Sequence, residues 1–258
     1  MSVTPQSSGP EPVRTERRDR VLLVTIDRPE ARNAIDGAVG RGLLAAVALL
    51  DEDPTLTVGV LTGAPPIFCA GMDLKAFARG EDMSDSGVFV REGARKPLIA
   101  AVEGAALAGG LELALACDLI VAAADARFGI PEVSRGLFAG GGALLRLPSL
   151  VGTGRAMELA LTGDPVDAQR AHDIGLVTRL AKPGGALREA LRLAERVARN
   201  APLSVAASKR IVRGVTGLTD DEAWDLQRPH LDEVFSSEDA KEGPRAFAEK
   251  RPPVWNGR

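Results

Sequence analysis

The chain has 258 residues, 45% hydrophobic and 26% charged, the balance of an ordinary folded protein with a substantial core. A net charge of −3 gives no general attraction to nucleic acid or an anionic membrane surface, and no apolar run approaches the ~20 residues a spanning helix needs. Two cysteines and two histidines leave no metal-ligand spacing, and neither a nucleophile-elbow serine motif nor a phosphate-binding loop is present.

Residues 1–18 lack the apolar stretch of a secretory signal and read as a disordered lead. Cys69 and Cys117, both in apolar surroundings, read as free buried thiols of a cytoplasmic protein. Residues 20–27 form a predicted strand, followed by a turn at Arg28-Pro29-Glu30. An apolar-periodic helix is predicted from 36 to 51, closed by Asp53-Pro54. Residues 58–62 read as a buried strand running into small residues at 67–74, a turn that exposes backbone amides. From 77 to 95 the sequence is polar and weakly periodic, a mobile segment with at most one helix.

Residues 98–102 are the next buried strand. A small-residue connection ends in Ala108-Gly109-Gly110, and an apolar helix follows over 111–117. Glu112 is the only charge between Gly104 and Cys117, and a carboxylate in such a run is costly to bury unless it is used. The residues alone leave open whether it caps amides, pairs with an arginine or does chemistry. Residues 119–123 read as a strand and 125–129 as a turn. Glu132 then stands at an element start, where a helix dipole would also explain it. After the glycine-rich stretch 136–142, helices are predicted at 142–150 and 154–162, a further helix from 164–168 and a short strand at 175–177. A linker at 181–185 leads to four helices, at 187–199, 203–213, 220–235 and 237–250, with Pro244 expected to kink the last or delay its start.

The turns at 67–74 and 108–110 each present backbone amides, and two such donors converging on one point make an oxyanion hole. In order along the chain, TIDRPEARNAI, LTGAPPIFCAGMDL, AAVEGAALAGGLELALACDLIVAA, ARFGIPEVSRGL and FAEKRPPVWNGR resemble the successive signatures of the enoyl-CoA hydratase (crotonase) family, over roughly residues 20–258. The resemblance implies an α/β fold: a spiral core of β-β-α units at 19–180 carrying the active site, then a C-terminal helical region at 181–258 that serves trimerisation. Periodicity alone suggests only a doubly wound sheet.

Carried over residue by residue, the resemblance implies oxyanion amides at Met72 and Gly109 and catalytic carboxyls at Glu112 and Glu132. Coenzyme A and substrate contacts would come from Pro29, Glu30, Ala31, Arg32, Ala70, Asp73, Leu74 and Lys75, with Phe138 at the acyl group and Phe247 and Lys250 reaching coenzyme A. Arg28 is a further cationic neighbour for its phosphates. The implied partner is an acyl-CoA thioester substrate, with coenzyme A entering as part of it, no permanently bound cofactor and no metal. A homotrimer or dimer of trimers is the implied assembly. The departure from the family pattern at 136–142 bears on the acyl group. Within the family, an isomerase or a dehydratase of a 3-hydroxyacyl-CoA is the alternative; outside catalysis, an acyl-CoA- or RNA-binding protein. An isomerase of this fold needs one glutamate, and this chain keeps two.

Overall fold

The structure is a computed structural model and describes residues 11–258; residues 1–10 of the expected disordered lead lie outside the described residues. The remainder of that lead is ordered: Val13–Arg18 forms strand β1, paired antiparallel to β2, Val21–Ile26. Its unbroken polar run at 14–18 gave no buried-strand signal because β1 is an edge strand, buried only at Val13. Helix α1, Gly37–Glu52, is capped by the Asp36 side chain on the Val39 amide and leads to β3, Val58–Gly63. The segment 77–95 contains one complete helix, α3 (Ser84–Glu92), after the short α2 (Leu74–Ala78).

Strand β4, Leu98–Val102, is followed by β5, Ala105–Leu107, and helix α4, Gly109–Ala116. Strand β6, Leu119–Ala123, is followed in the same way by β7, Arg127–Gly129. Thus the expected connection at 105–107 and turn at 127–129 are both strands, too short to show a period in sequence. A one-turn helix at Pro131–Arg135 precedes α5 (Ala143–Val151) and α6 (Thr153–Thr162). Next come β8 (Val166–Asp167), α7 (Ala168–Asp173) and β9 (Arg179–Ala181). The expected strand at 175–177 is therefore displaced to 179–181, where β9 pairs with β6. Four helices end the chain: α8 (Ala186–Ala198), α9 (Pro202–Gly214), α10 (Asp220–Phe235) and α11 (Glu238–Ala248). Pro244 does not delay α11, which starts at its Ser237 cap.

The strands form two sheets, one of six in the order β1-β2-β3-β4-β6-β9 and one of three in the order β5-β7-β8. Except for β1, the large sheet is parallel. Its central strands read as unbroken apolar runs because both faces are covered. Leu22, Val24, Leu61, Ala100 and Ile120 face the larger core, whereas Val21, Leu23, Val60, Ile99 and Val121 pack on Ala190, Leu193 and Ala194 of α8. Helix α8, expected in the C-terminal region, thereby closes one face of the sheet.

A partly buried ionic clasp fixes α9 to this core. Asp118, at the mouth of β6, accepts from Lys209 and from Arg213, each at 2.8 Å, and from the Leu98 amide at 2.8 Å. The Lys209 ammonium also donates to the Ala94 and Lys96 carbonyls, so it is enclosed with its counter-charge. Asp118→Ala leaves that buried cation unpaired and should cost about 3–5 kcal/mol, read as a lowered urea midpoint. Farther on, the C-terminal tail folds back along α11: Asp239 accepts from the Asn256 and Gly257 amides, and Glu242 from Arg251 and the Val254 amide.

Candidate active site

The small sheet assembles the site. Parallel pairing of β5 with β7 sets Leu107 opposite Gly129, and the Ala108 amide donates to the Gly129 carbonyl at 2.9 Å. On the other side of β5, the Cys69 amide donates to the Ala105 carbonyl and the Leu107 amide to the Cys69 carbonyl, at 3.1 Å each. Three segments, 69–72, 107–112 and 129–132, therefore come side by side at one cavity of about 540 Å³, lined by Met72, Gly109, Glu112 and Glu132 among others.

Two amides are turned into this cavity by unusual backbone geometry. Gly71, with φ of +106°, precedes Met72; Ala108, with φ of +51°, precedes Gly109. A Cβ on Gly71 would lie 2.7 Å from the Ala108 Cβ, so this position accepts only glycine. Ala108 carries a conformation that costs an L-residue on the order of 1–3 kcal/mol, strain stored beside the site. Among the described residues, neither the Met72 nor the Gly109 N–H donates to a protein acceptor. The ideal Cβ position of Gly109 is 3.5 Å from the Met72 nitrogen, so the two free donors stand close together. Two unpartnered donors so placed can both reach one acceptor oxygen.

The two carboxyls differ in surroundings. Glu112, in the first turn of α4, is 5% exposed, and its carboxylate accepts from the Ala143 amide at 3.2 Å. Burial pushes its pKa above the ordinary value, opposed by the Ala143 and Gly141 amides and by the Arg146 charge. Gly141 makes the close approach possible: a Cβ there would lie 2.4 Å from Glu112 Oε2. Glu132, half-buried, is also raised, first by burial and further by the charge of Glu112. Its Oε2 is buried with no hydrogen-bond partner among the described residues. One carboxyl is thus cradled by amides that favour its anion, and the other holds an unpartnered oxygen at the cavity. Two carboxyls in such different surroundings can supply one base and one acid.

Residues 16–258 match the family model described as enoyl-CoA hydratase/isomerase. The chain belongs to that family. The enoyl-CoA hydratase EchA19 of Mycobacterium tuberculosis is 41% identical, aligned over 97% of this chain and 98% of its own length. A carnitinyl-CoA dehydratase of Salmonella typhi is 39% identical, over 96% of this chain and 99% of that one. A crystal structure of an enoyl-CoA hydratase from Mycobacterium tuberculosis superposes with a TM-score of 0.94 at 56% identity, covering 96% of this chain and 100% of that one. The expected crotonase fold is therefore the fold observed.

Against the expectations drawn from family resemblance, Met72, Gly109, Glu112 and Glu132 meet at the cavity, joined by Ala70, Leu74 and Phe138. Met83, Ser86, Gly87 and Val90, from the segment 77–95, line it too. Pro29, Glu30 and Ala31 form a single turn of 3-10 helix ending at Arg32, whose carbonyl accepts from the Ala70 amide at 3.1 Å. Arg32 and Lys75 are exposed and make no ion pair among the described residues. Arg28 is different. Its guanidinium pairs with Asp36 at 2.9 Å and Asp73 at 3.3 Å, and donates to the Ala34 carbonyl, so it is committed to holding the loop. Asp73 caps α2 through the Lys75 and Ala76 amides and does not line the cavity. Phe247 and Lys250 lie exposed near the end of α11, away from the cavity lining of this chain. Sequence reading missed the cradle of Glu112 by the Gly141 and Ala143 amides. The run of three glycines was its only trace.

Proposed function

We propose that the chain is a 2-enoyl-CoA hydratase, adding water reversibly across the 2,3-double bond of an acyl-CoA thioester. The observation that carries this reading is the meeting of two unpartnered amides with two differently held carboxyls at one cavity. The thioester carbonyl accepts from the Met72 and Gly109 amides, which are placed to meet the charge that builds on that oxygen as water adds at C3. Glu112, whose anion is favoured by the Gly141 and Ala143 amides, takes the proton from the attacking water. Glu132, with its unpartnered oxygen, gives a proton to C2. The water supplies hydroxyl to C3, and the enzyme's carboxyls exchange roles in the reverse direction. Hydration is redox-neutral, so coenzyme A enters as part of the substrate and no redox cofactor takes part.

The proposal extends to Arg32 and Lys75 as cations near the nucleotide phosphates, with Pro29 to Ala31, Asp73 and Leu74 beside them. It includes a homotrimer or dimer of trimers, in which exposed Trp224, Leu231 and Phe235 of α10 and Phe247 of α11 are covered and Phe247 and Lys250 approach a neighbouring site. The proposal also places the enzyme in the cytoplasm, acting on dissolved thioesters; no helix among the described residues is long and apolar enough to cross a membrane.

A set of 2-enoyl-CoA esters tests the reading: enoyl absorbance should fall, and 3-hydroxyacyl-CoA should appear with oxygen from labelled water. Conversion between 2- and 3-enoyl esters without label would instead mark an isomerase, and tight binding without turnover a carrier. The pH profile carries a sign. Below the lower carboxyl pKa the base is protonated, and above the upper one the acid is lost. Because burial raises both groups, the bell of kcat/KM against pH should lie above the ordinary carboxyl value of 4.5.

A further inference from the structure

A second cavity, of about 360 Å³, adjoins the first at Phe138, between the segment 130–139 and helices α5 and α6. Its walls are apolar almost throughout, with Ile130, Val133, Leu147, Ala156 and Ala160 among them and Thr153 the single polar side chain. One residue lines both cavities: Phe138. The segment around it is a partition. Pro131, Glu132, Leu137 and Gly140 face the first cavity, and Ile130, Val133 and Ala139 face the second. The Phe138 ring is not packed into a core; it is 71% exposed and lies against Gly140, whose Cβ position would be 3.6 Å from its edge.

We infer that Phe138 is a specificity-determining gate, and that the favoured substrates carry a large apolar acyl tail whose far end occupies the chamber between α5 and α6. This rests on the hydratase reading, because it takes the thioester end to be fixed at Met72 and Gly109. With C2 and C3 beside Glu112 and Glu132, an acyl chain leaving the reacting carbons meets the partition that carries Glu132 itself. A short chain ends inside the first cavity. A longer or wider one continues past Phe138 into a space that offers it apolar walls and almost no polar group to desolvate. Both volumes are those of ligand cavities, and an apolar lining of this kind takes hydrocarbon.

The test compares crotonyl-CoA, a long linear 2-enoyl-CoA and a 2-enoyl-CoA ending in a ring. Ala160→Trp fills the second chamber from its far wall, and Phe138→Ala removes the gate. Each methylene removed from water is worth about fourfold in affinity, so Ala160→Trp should lower kcat/KM for a large-tailed ester relative to crotonyl-CoA by about tenfold or more. Phe138→Ala should raise the same ratio. The linear and ring-bearing esters report which shape of tail the chamber takes, and a response from either upholds the inference. Titration calorimetry with saturated short- and long-chain acyl-CoA reads the chamber without turnover: wild type should favour the long chain, and Ala160→Trp should erase the preference. Ratios and affinities unmoved by both variants overturn the inference. Loss of no enoyl absorbance from any ester overturns the hydratase reading instead, with calorimetry still deciding the chamber.

Discussion

Glu112→Gln and Glu132→Gln should each lower turnover of a 2-enoyl-CoA by about 10²–10⁴, the usual worth of a positioned acid or base. Glutamine keeps the size of the side chain and leaves an oxygen to accept from the Ala143 amide, but it transfers no proton. The double variant should cost far less than the product of the two losses, because one absent proton transfer already blocks the route. Neither change should impair folding. A carboxyl whose pKa is raised on folding binds protons more tightly in the native state, so its ionisation opposes folding as pH rises past the ordinary value. The glutamine variants should therefore melt no lower than wild type at neutral pH, and any gain should vanish in acid, where the wild-type carboxyls are protonated folded or unfolded. Steady-state rates and thermal melts on the same preparations check both parts. One glutamate whose replacement leaves the rate intact would contradict hydration by this pair.

Gly109→Pro removes the amide proposed to meet the thioester oxygen and no hydrogen bond within the protein. The Gly109 amide gives no bond to the protein and opens α4, a position where proline costs no helix hydrogen bond. Ala108 before it, however, sits at φ of +51°, not the extended conformation proline asks of its predecessor, so a thermal melt accompanies the rate. Loss of one such donor commonly costs ~10²–10³ in rate. Turnover should fall by that order while coenzyme A binding is retained, since its nucleotide end lies beyond the reacting carbons. A folded variant with near-normal turnover would place the carbonyl elsewhere.

Much of this was legible in the sequence, and the reasons differ by element. The central strands announced themselves because sheet and helices cover both their faces, leaving runs such as residues 98–102 wholly apolar. Helix α1 was marked by its apolar period over 36–51, and the Asp36 side chain caps it. Glu112 stood out as a lone charge in an apolar run. The strands that gather the site, β5 and β7, were read as connection and turn, because three residues cannot display a period of two. Their pairing is a long-range event, specified by how the larger layers stack. Arg28 shows the opposite limit. Its charge was visible, but its partners Asp36 and Asp73 are set by the fold, so a cation suited to phosphate proved to be a loop brace. Pro244 leaves the start of α11 in place for a local reason: one missing backbone bond does not outweigh the cap at Ser237 and the packing of Ala246.

The unpartnered Met72 and Gly109 amides also make the site its own isotopic reporter. An amide proton without an acceptor, on the wall of a cavity open to solvent, has no bond to break before it exchanges with deuterium. Its neighbours in β3 and β4 must wait for the sheet to open. In the free protein these two positions should therefore label early against a slow background. A bound thioester carbonyl would give both protons an acceptor at once, and their exchange should slow together. Paired retardation at two residues 37 positions apart in sequence, from Met72 to Gly109, would register occupancy of the oxygen site without any chemistry taking place.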